Sequence, residues 1–140
     1  MLSVNFIIRR FVTKKQITAL MIEPNKHPCI VTLNNDLDSL QKAVSIGAGE
    51  QGLIEFVYLE DNVSVLCNEE GKLIGLEPNR RLGKDIICGV FYVVAEDDEG
   101  DLISLTKAQQ EHYCKMFWTP DVIDKDEVGK TIIFEFYGGV

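Results

Sequence analysis

Hydrophobic and polar positions along this chain mostly change in short bursts, and only two stretches switch to a helical period. Gln16–Pro24 (QITALMIEP) and the PCIVTL that follows read as two strands of a hairpin, with Pro24-Asn25 as the turn signal. Leu37, Leu40 and Val44, with Ala43 beside them, fall at i, i+3, i+7 and predict a helix. Asn35 or Asp36 supplies its N-cap, Asp36 and Asp38 suit the positive helix end, and the glycines of IGAGEQG end it.

Leu53–Glu60 and Val63–Asn68 form a strand pair around an Asp61-Asn62 turn. Glu69-Glu70-Gly71 then predicts a three-residue connection with Gly71 left-handed, leading into a strand over KLIGL. Asp85–Glu96 (DIICGVFYVVAE) reads as one long buried strand. A second helix is expected over Ser104–Trp118, capped by Ser104 or Thr106 and stopped by Thr119-Pro120. Its apolar line is read as Leu105, Ala108, His112 and Lys115, with Tyr113, Met116 and Phe117 beside it. KTIIFEFYGG alternates Ile133, Glu135 and Tyr137 against Ile132, Phe134 and Phe136, and predicts a closing strand. Residues 2–12 alternate loosely and are expected as an edge strand or an extension. The sum is an α+β fold, a mostly antiparallel sheet with two main helices packed on it, expected as a single domain over residues 1–140.

Composition narrows the function classes. A chain of 140 residues with 46% hydrophobic and 26% charged positions can bury a core without metals or disulfides. The formal net charge of −8 disfavours direct nucleic-acid binding, because phosphates call for a basic face. A mimic of DNA would need a long regular array of acids. Here the acids gather in two loop-like runs, EDDEGD (Glu96–Asp101) and DVIDKDE (Asp121–Glu127), which read as solvated loops. The longest apolar runs are strand-sized, so no membrane span is expected, and MLSVNFIIRRFV is too brief for a secretory signal. Cytoplasmic residence is the expectation. His27-Pro28-Cys29 and His112-Tyr113-Cys114 together offer a two-Cys, two-His set, but buried free thiols are the preferred reading, and no metal or cofactor is assigned.

Chemistry concentrates in one stretch, CNEEGKLIGLEPNRRLGKD (Cys67–Asp85). The candidate ligand- or partner-binding residues are Asn68, Glu69, Glu70, Lys72, Asn79, Arg80 and Arg81. The polar tip at Asn68-Glu69-Glu70-Gly71 is also what a hairpin requires, with Lys72 pairing locally. Arg80 and Arg81 form a local positive island in an acidic chain, and a guanidinium recognises phosphate or carboxylate through two hydrogen bonds. Adjacent strand residues diverge, so both arginines reach one ligand only if the segment is a loop, which Pro78 and Gly83 favour. Otherwise they pair with Glu69, Glu70 or Glu77. No Walker A, G-x-G-x-x-G, H-E-x-x-H or G-x-S-x-G pattern is present, so no catalytic residue is assigned. Trp118 and Tyr137 read first as core aromatics and second as partner contacts, where an arginine pair beside an aromatic suits a nucleotide.

The stretch also carries a resemblance. CNEEGKLIGLEPNRRL, preceded by EDNVSVLC and followed by a D-I-I-C-G strand, with EPNKHP and an L-x-x-L-Q helix upstream, resembles the family catalogued as domain of unknown function thirty-eight forty-six (DUF3846). The resemblance covers about residues 17–118, leaving 1–15 as an extension and 119–140 as an added strand. It implies a phage or mobile-element setting and supplies no reaction. The expectation is a small binding or interaction module acting on a host protein, in one form a host-defence antagonist, or on an anionic small ligand. The alternatives are a small enzyme acting on a phosphorylated small molecule, with Glu69 or Glu70 as base and the arginines as clamps, and an oligomeric scaffold built on the terminal strands.

Overall fold

The computed structural model describes residues 16–136. The N-terminal stretch expected as an edge strand and the aromatic Tyr137 lie outside them. Among the described residues, eight strands and three helices follow one another as β1 (Gln16–Ile22), β2 (Cys29–Asn34), α1 (Leu37–Ala43), β3 (Ile54–Glu60), β4 (Val63–Asn68), β5 (Pro78–Leu82), β6 (Asp85–Cys88), β7 (Phe91–Glu96), β8 (Leu102–Ile103), α2 (Lys107–Met116) and α3 (Lys125–Phe136). An antiparallel six-stranded sheet runs β2-β1-β7-β4-β3, with β8 also pairing β7, and β5-β6 form a separate two-stranded ribbon. The α+β architecture read from the sequence is present.

The β1–β2 hairpin keeps register from Gln16↔Asn34 to Met21↔Cys29. Its turn puts Asn25 at φ 63, a conformation asparagine tolerates better than most residues. Asp61, at φ 46, makes the β3–β4 turn in the same way. Asp36 is the N-cap of α1, its Oδ1 accepting from Ser39 N at 2.8 Å and its Oδ2 from Ser39 Oγ at 2.9 Å. Leu40 and Val44 are buried, whereas Leu37 points to solvent.

Strand β7 explains why FYVVA is apolar without alternation. It pairs with β1 and β4 and is covered on both faces. On one face Tyr92 and Val94 pack with Ile17, Ala19, Leu40 and Val44 beneath α1. On the other, Phe91 and Val93 pack with Leu20, Val65, Tyr113 and Phe117 beneath α2. Phe91 and Phe117 meet edge to face, 5.4 Å between ring centres, an arrangement worth about 0.5–1.5 kcal/mol beyond area burial.

Four expectations change. The strand over KLIGL is a run of helical turns, in which Ile74 N donates to Glu70 O and Leu76 N to Gly71 O. Gly71 is not left-handed; a side chain there would stand 2.5 Å from the Cys88 carbonyl oxygen, so the position serves a close crossing of two backbones. The long strand Asp85–Glu96 breaks at Gly89 (φ 85), giving β6 to the ribbon and β7 to the sheet. The closing strand is helix α3 instead. Asp124 Oδ1 accepts from Glu127 N at 2.8 Å, acids fill the first turn, and Val128 and Ile132, four apart, pack on Ile86 and Cys88. That D-x-x-E start is a helix signal which the β-branched and aromatic alternation downstream obscured.

Burial has a titration signature. It pushes the Cys67 thiol up to about 12 and Cys88 to about 11. Burial likewise raises the Tyr92 and Tyr113 hydroxyls to about 12, with a hydrogen bond to Glu60 adding to the effect at Tyr113. All four groups ionise more readily in the unfolded chain, where thiols titrate near 9.0 and phenols near 10.0. Their contribution is complete below pH about 9 and is lost as pH climbs through about 11–12. The urea midpoint is expected to hold from neutrality to pH about 9 and then to fall steeply; a midpoint still flat at pH about 11 contradicts this burial.

Candidate functional site

The seven candidate residues are not brought to one place. Pro78–Leu82 is strand β5, not a loop, so Arg80 and Arg81 diverge. Arg80 turns inward and is 1% exposed. Its Nε and Nη2 donate to the Phe117 carbonyl at 3.1 and 2.9 Å, and Nη2 also donates to Lys26 O at 2.7 Å. Nη1 donates to Asn79 Oδ1 at 2.8 Å. Asn79 is buried as well, and its Nδ2 donates to Ile22 O at 2.8 Å and Gly89 O at 2.9 Å. Desolvation lowers the Arg80 pKa, with Asp121 opposing it. These two side chains bind the protein's own backbone, tying together the turn after β1, the ribbon and the end of α2.

Arg81 faces outward, toward α3. Its Nε and Nη2 form a two-point pair with Glu127, both at 2.8 Å, and Nη2 also donates to Val122 O at 3.2 Å. This pairing raises the Arg81 pKa and lowers that of Glu127. The partner is therefore neither Glu69, Glu70 nor Glu77, because α3 stands where a strand was expected. Lys72 pairs with Asp85 at 2.5 Å, across the start of β6. Asn68 is buried at the end of β4, where its Oδ1 accepts from Glu70 N at 2.9 Å, shaping the turn. Glu69 and Glu70 are exposed beside it. Two acids on that turn and two arginines engaged elsewhere do not form an acid–base site with a phosphate clamp.

A different surface presents unspent chemistry. Between β2 and α2 lies a groove of about 770 Å³, lined by Ile30 from β2 and by Lys107, Glu111, Cys114, Lys115 and Trp118 from α2 and its end. Gln110 and Thr119 complete the wall. The helix capping box, Thr106 with Gln109, fixes the start of α2. Its buried residues are Leu105, Tyr113 and Phe117, so the buried face shares Leu105 with the expected Leu105–Ala108–His112–Lys115 line and turns away from the other three. His112 and Lys115 are accordingly exposed, and His112 meets Glu60 at 3.1 Å. The rotation places Lys107, Glu111, Lys115 and Trp118 together on the groove side.

Trp118 is 49% exposed, yet it is held firmly. The His27 ring stacks on it with centres 4.0 Å apart and planes 9° apart, and His27 Nδ1 donates to the Trp118 carbonyl at 2.6 Å. Arg80 holds the preceding carbonyl, that of Phe117. Two carbonyls just past α2, those of Phe117 and Trp118, are thus satisfied by a guanidinium and an imidazole, which fixes where the indole sits. Neither Lys107 nor Lys115 forms an ion pair among the described residues, while Lys26, Lys42, Lys72 and Arg81 all do. Trp118 was legible in the sequence as an aromatic worth watching. The lysines become visible only when read four, eight and eleven positions along one helix face (107, 111, 115, 118).

His27 and His112 have separate partners, and among the described residues the two His-x-Cys triplets do not assemble into a ligand cluster. No helix among the described residues is long and apolar enough to cross a membrane.

These features define an α+β domain whose most recognisable sequence segment builds an internal strut beneath an open groove. The family pattern described as "Domain of unknown function (DUF3846)" matches residues 17–118, and the chain belongs to that family. Comparison with curated proteins and with solved structures returned no match.

Proposed function

We propose that the protein is a small binding module whose ligand face is the β2–α2 groove, and that its ligand is a small anion carrying a planar ring. The observation that carries this reading is the juxtaposition of a rigidly held, half-exposed Trp118 with two lysines that have no ion-pair partner among the described residues, in a chain whose net charge is −8. An indole face binds a planar ring by stacking, and ammonium groups hold its anionic substituent without demanding one geometry. Of the two occupants suggested by the sequence, a host protein and a small anion, the groove favours the anion, because its charge is local and its volume suits a small ligand. Glu111 between the lysines leaves the wall with one net positive charge and excludes ligands of high negative charge.

Trp118 is the single tryptophan, so its fluorescence reports the site directly. Titration with nucleoside 5′-monophosphates is expected to quench it saturably, with the parent nucleosides and inorganic phosphate each much weaker. Lys107→Glu with Lys115→Glu should abolish the quenching while leaving the urea midpoint within about 0.5 kcal/mol equivalent of the wild type. Quenching that survives the double charge reversal, or is equal for nucleoside and nucleotide, refutes the reading.

A further inference from the structure

The loop between β7 and β8, read from the sequence as a solvated acidic turn, contains one carboxylate that is not solvated at all. Asp101 is 1% exposed, and among the described residues neither of its carboxylate oxygens has a hydrogen-bond partner. Buried carboxylates are ordinarily paired or hydrogen-bonded, because an isolated charge taken out of water is very costly. The orphan oxygens are not alone, however. Ligand atoms of Asp97, Glu99 and Asp101 all lie within 4.8 Å of one another.

We propose that Asp97, Glu99 and Asp101 form a binding site for a hard divalent cation of the calcium class. The donors are all carboxylate oxygens, the set calcium prefers, with no nitrogen or sulfur to favour zinc. Oxygens on opposite sides of a calcium ion, each about 2.4 Å from it, stand about 4.8 Å apart. The observed spread therefore fits three oxygens around one centre. The turn sets Asp101 buried, Asp97 half-buried and Glu99 exposed, so the cluster opens to solvent on the Glu99 side.

The backbone prepares that arrangement. Asp97 Oδ1 accepts from Glu99 N at 2.9 Å and Asp101 N at 3.0 Å, and Asp97 N donates to Asp101 O at 2.9 Å. Gly100, at φ 84, makes the return. A cation would supply the positive charge that Asp101 lacks and close the loop at its narrowest point. Three protein ligands leave the remaining coordination to water, which places the affinity in the weak, submillimolar-to-millimolar class of calcium sites. The loop leads directly into β8 and then to Ser104 and Leu105, which dock on Thr18 through Ser104 Oγ at 2.8 Å and Leu105 N at 3.0 Å. An ion there would stiffen the entry to α2.

The test is calorimetric titration and thermal unfolding of the full chain in chelator-treated buffer, with calcium chloride as the probe. One equivalent of calcium should bind, with a saturable rise in Tm. Glu99→Gln, at an exposed position, should weaken binding about tenfold or more. Asp101→Asn should abolish the calcium response while leaving the metal-free protein at least as stable as the wild type, because it removes an uncompensated charge. The proposal is overturned if the wild type does not respond. It is equally overturned if sodium chloride at matched ionic strength reproduces the Tm rise, or if either variant keeps the wild-type response.

Discussion

Replacing Arg80 with alanine is expected to lower the unfolding free energy by about 3–5 kcal/mol, the range for removing one partner from a buried charged network. The substitution does three things at once. It strips the Phe117 and Lys26 carbonyls of their donors, leaves Asn79 Oδ1 unpaired, and opens a void beneath the end of α2. Lysine should recover little, since an ammonium cannot reproduce a planar fork that reaches two carbonyls and an amide oxygen together. Equilibrium urea denaturation, followed by circular dichroism, measures both variants. A loss below about 1 kcal/mol for Arg80→Ala would mean that the guanidinium is solvated, contrary to the buried placement. Trp118 offers a second readout. Because Arg80 and His27 together hold the end of α2, Arg80→Lys is expected to red-shift the indole emission even where the fold survives.

Asn79→Asp is the second large effect, about 3 kcal/mol, although it changes neither volume nor shape. The amide orientation is determined by its surroundings: two carbonyl oxygens, Ile22 O and Gly89 O, lie on one side and a guanidinium on the other. A carboxylate keeps the contact with Arg80 but turns acceptor lone pairs toward both carbonyls. Two donated bonds become two repulsions in a site with no access to water. The comparison is with Glu69→Gln on the exposed turn, which should move the urea midpoint by less than about 0.5 kcal/mol equivalent. Equal effects at the two positions would dissolve the distinction between a buried strut and a solvated tip.

That distinction is where sequence reading reached its limit. The strands β1 to β4, both N-caps and the turns at Asn25 and Asp61 were legible, since each rests on local chemistry within a few residues. Helix α3 was not, because Ile132 to Phe136 favour strand by residue type while the contacts that decide the matter come from β6 and Leu76. The arginines were misread for a similar reason. A charge beside a proline turn is exposed on average, and nothing within ten residues of Arg80 reveals that its partners are the carbonyls of residues 26 and 117. Conversely, the acidic run 96–101 looked uniformly solvated, although packing takes one of its five acids out of water. Burial is a property of the assembled chain, and it reassigned the roles of residues whose types had been read correctly.

The same acidic run carries a consequence for the chain before it has folded. Residues Phe91–Ala95 of β7 form a short, uncharged, β-branched and aromatic segment, the type that zips readily with copies of itself when exposed. Natural sequences guard such segments with flanking charges, and Glu96, Asp97, Asp98 and Glu99 stand immediately after it. In the unfolded chain these acids repel neighbouring molecules from the stretch most prone to self-association. Once β1, β4, α1 and α2 cover that strand, the charges are released from guard duty and the loop is left to gather its carboxylates.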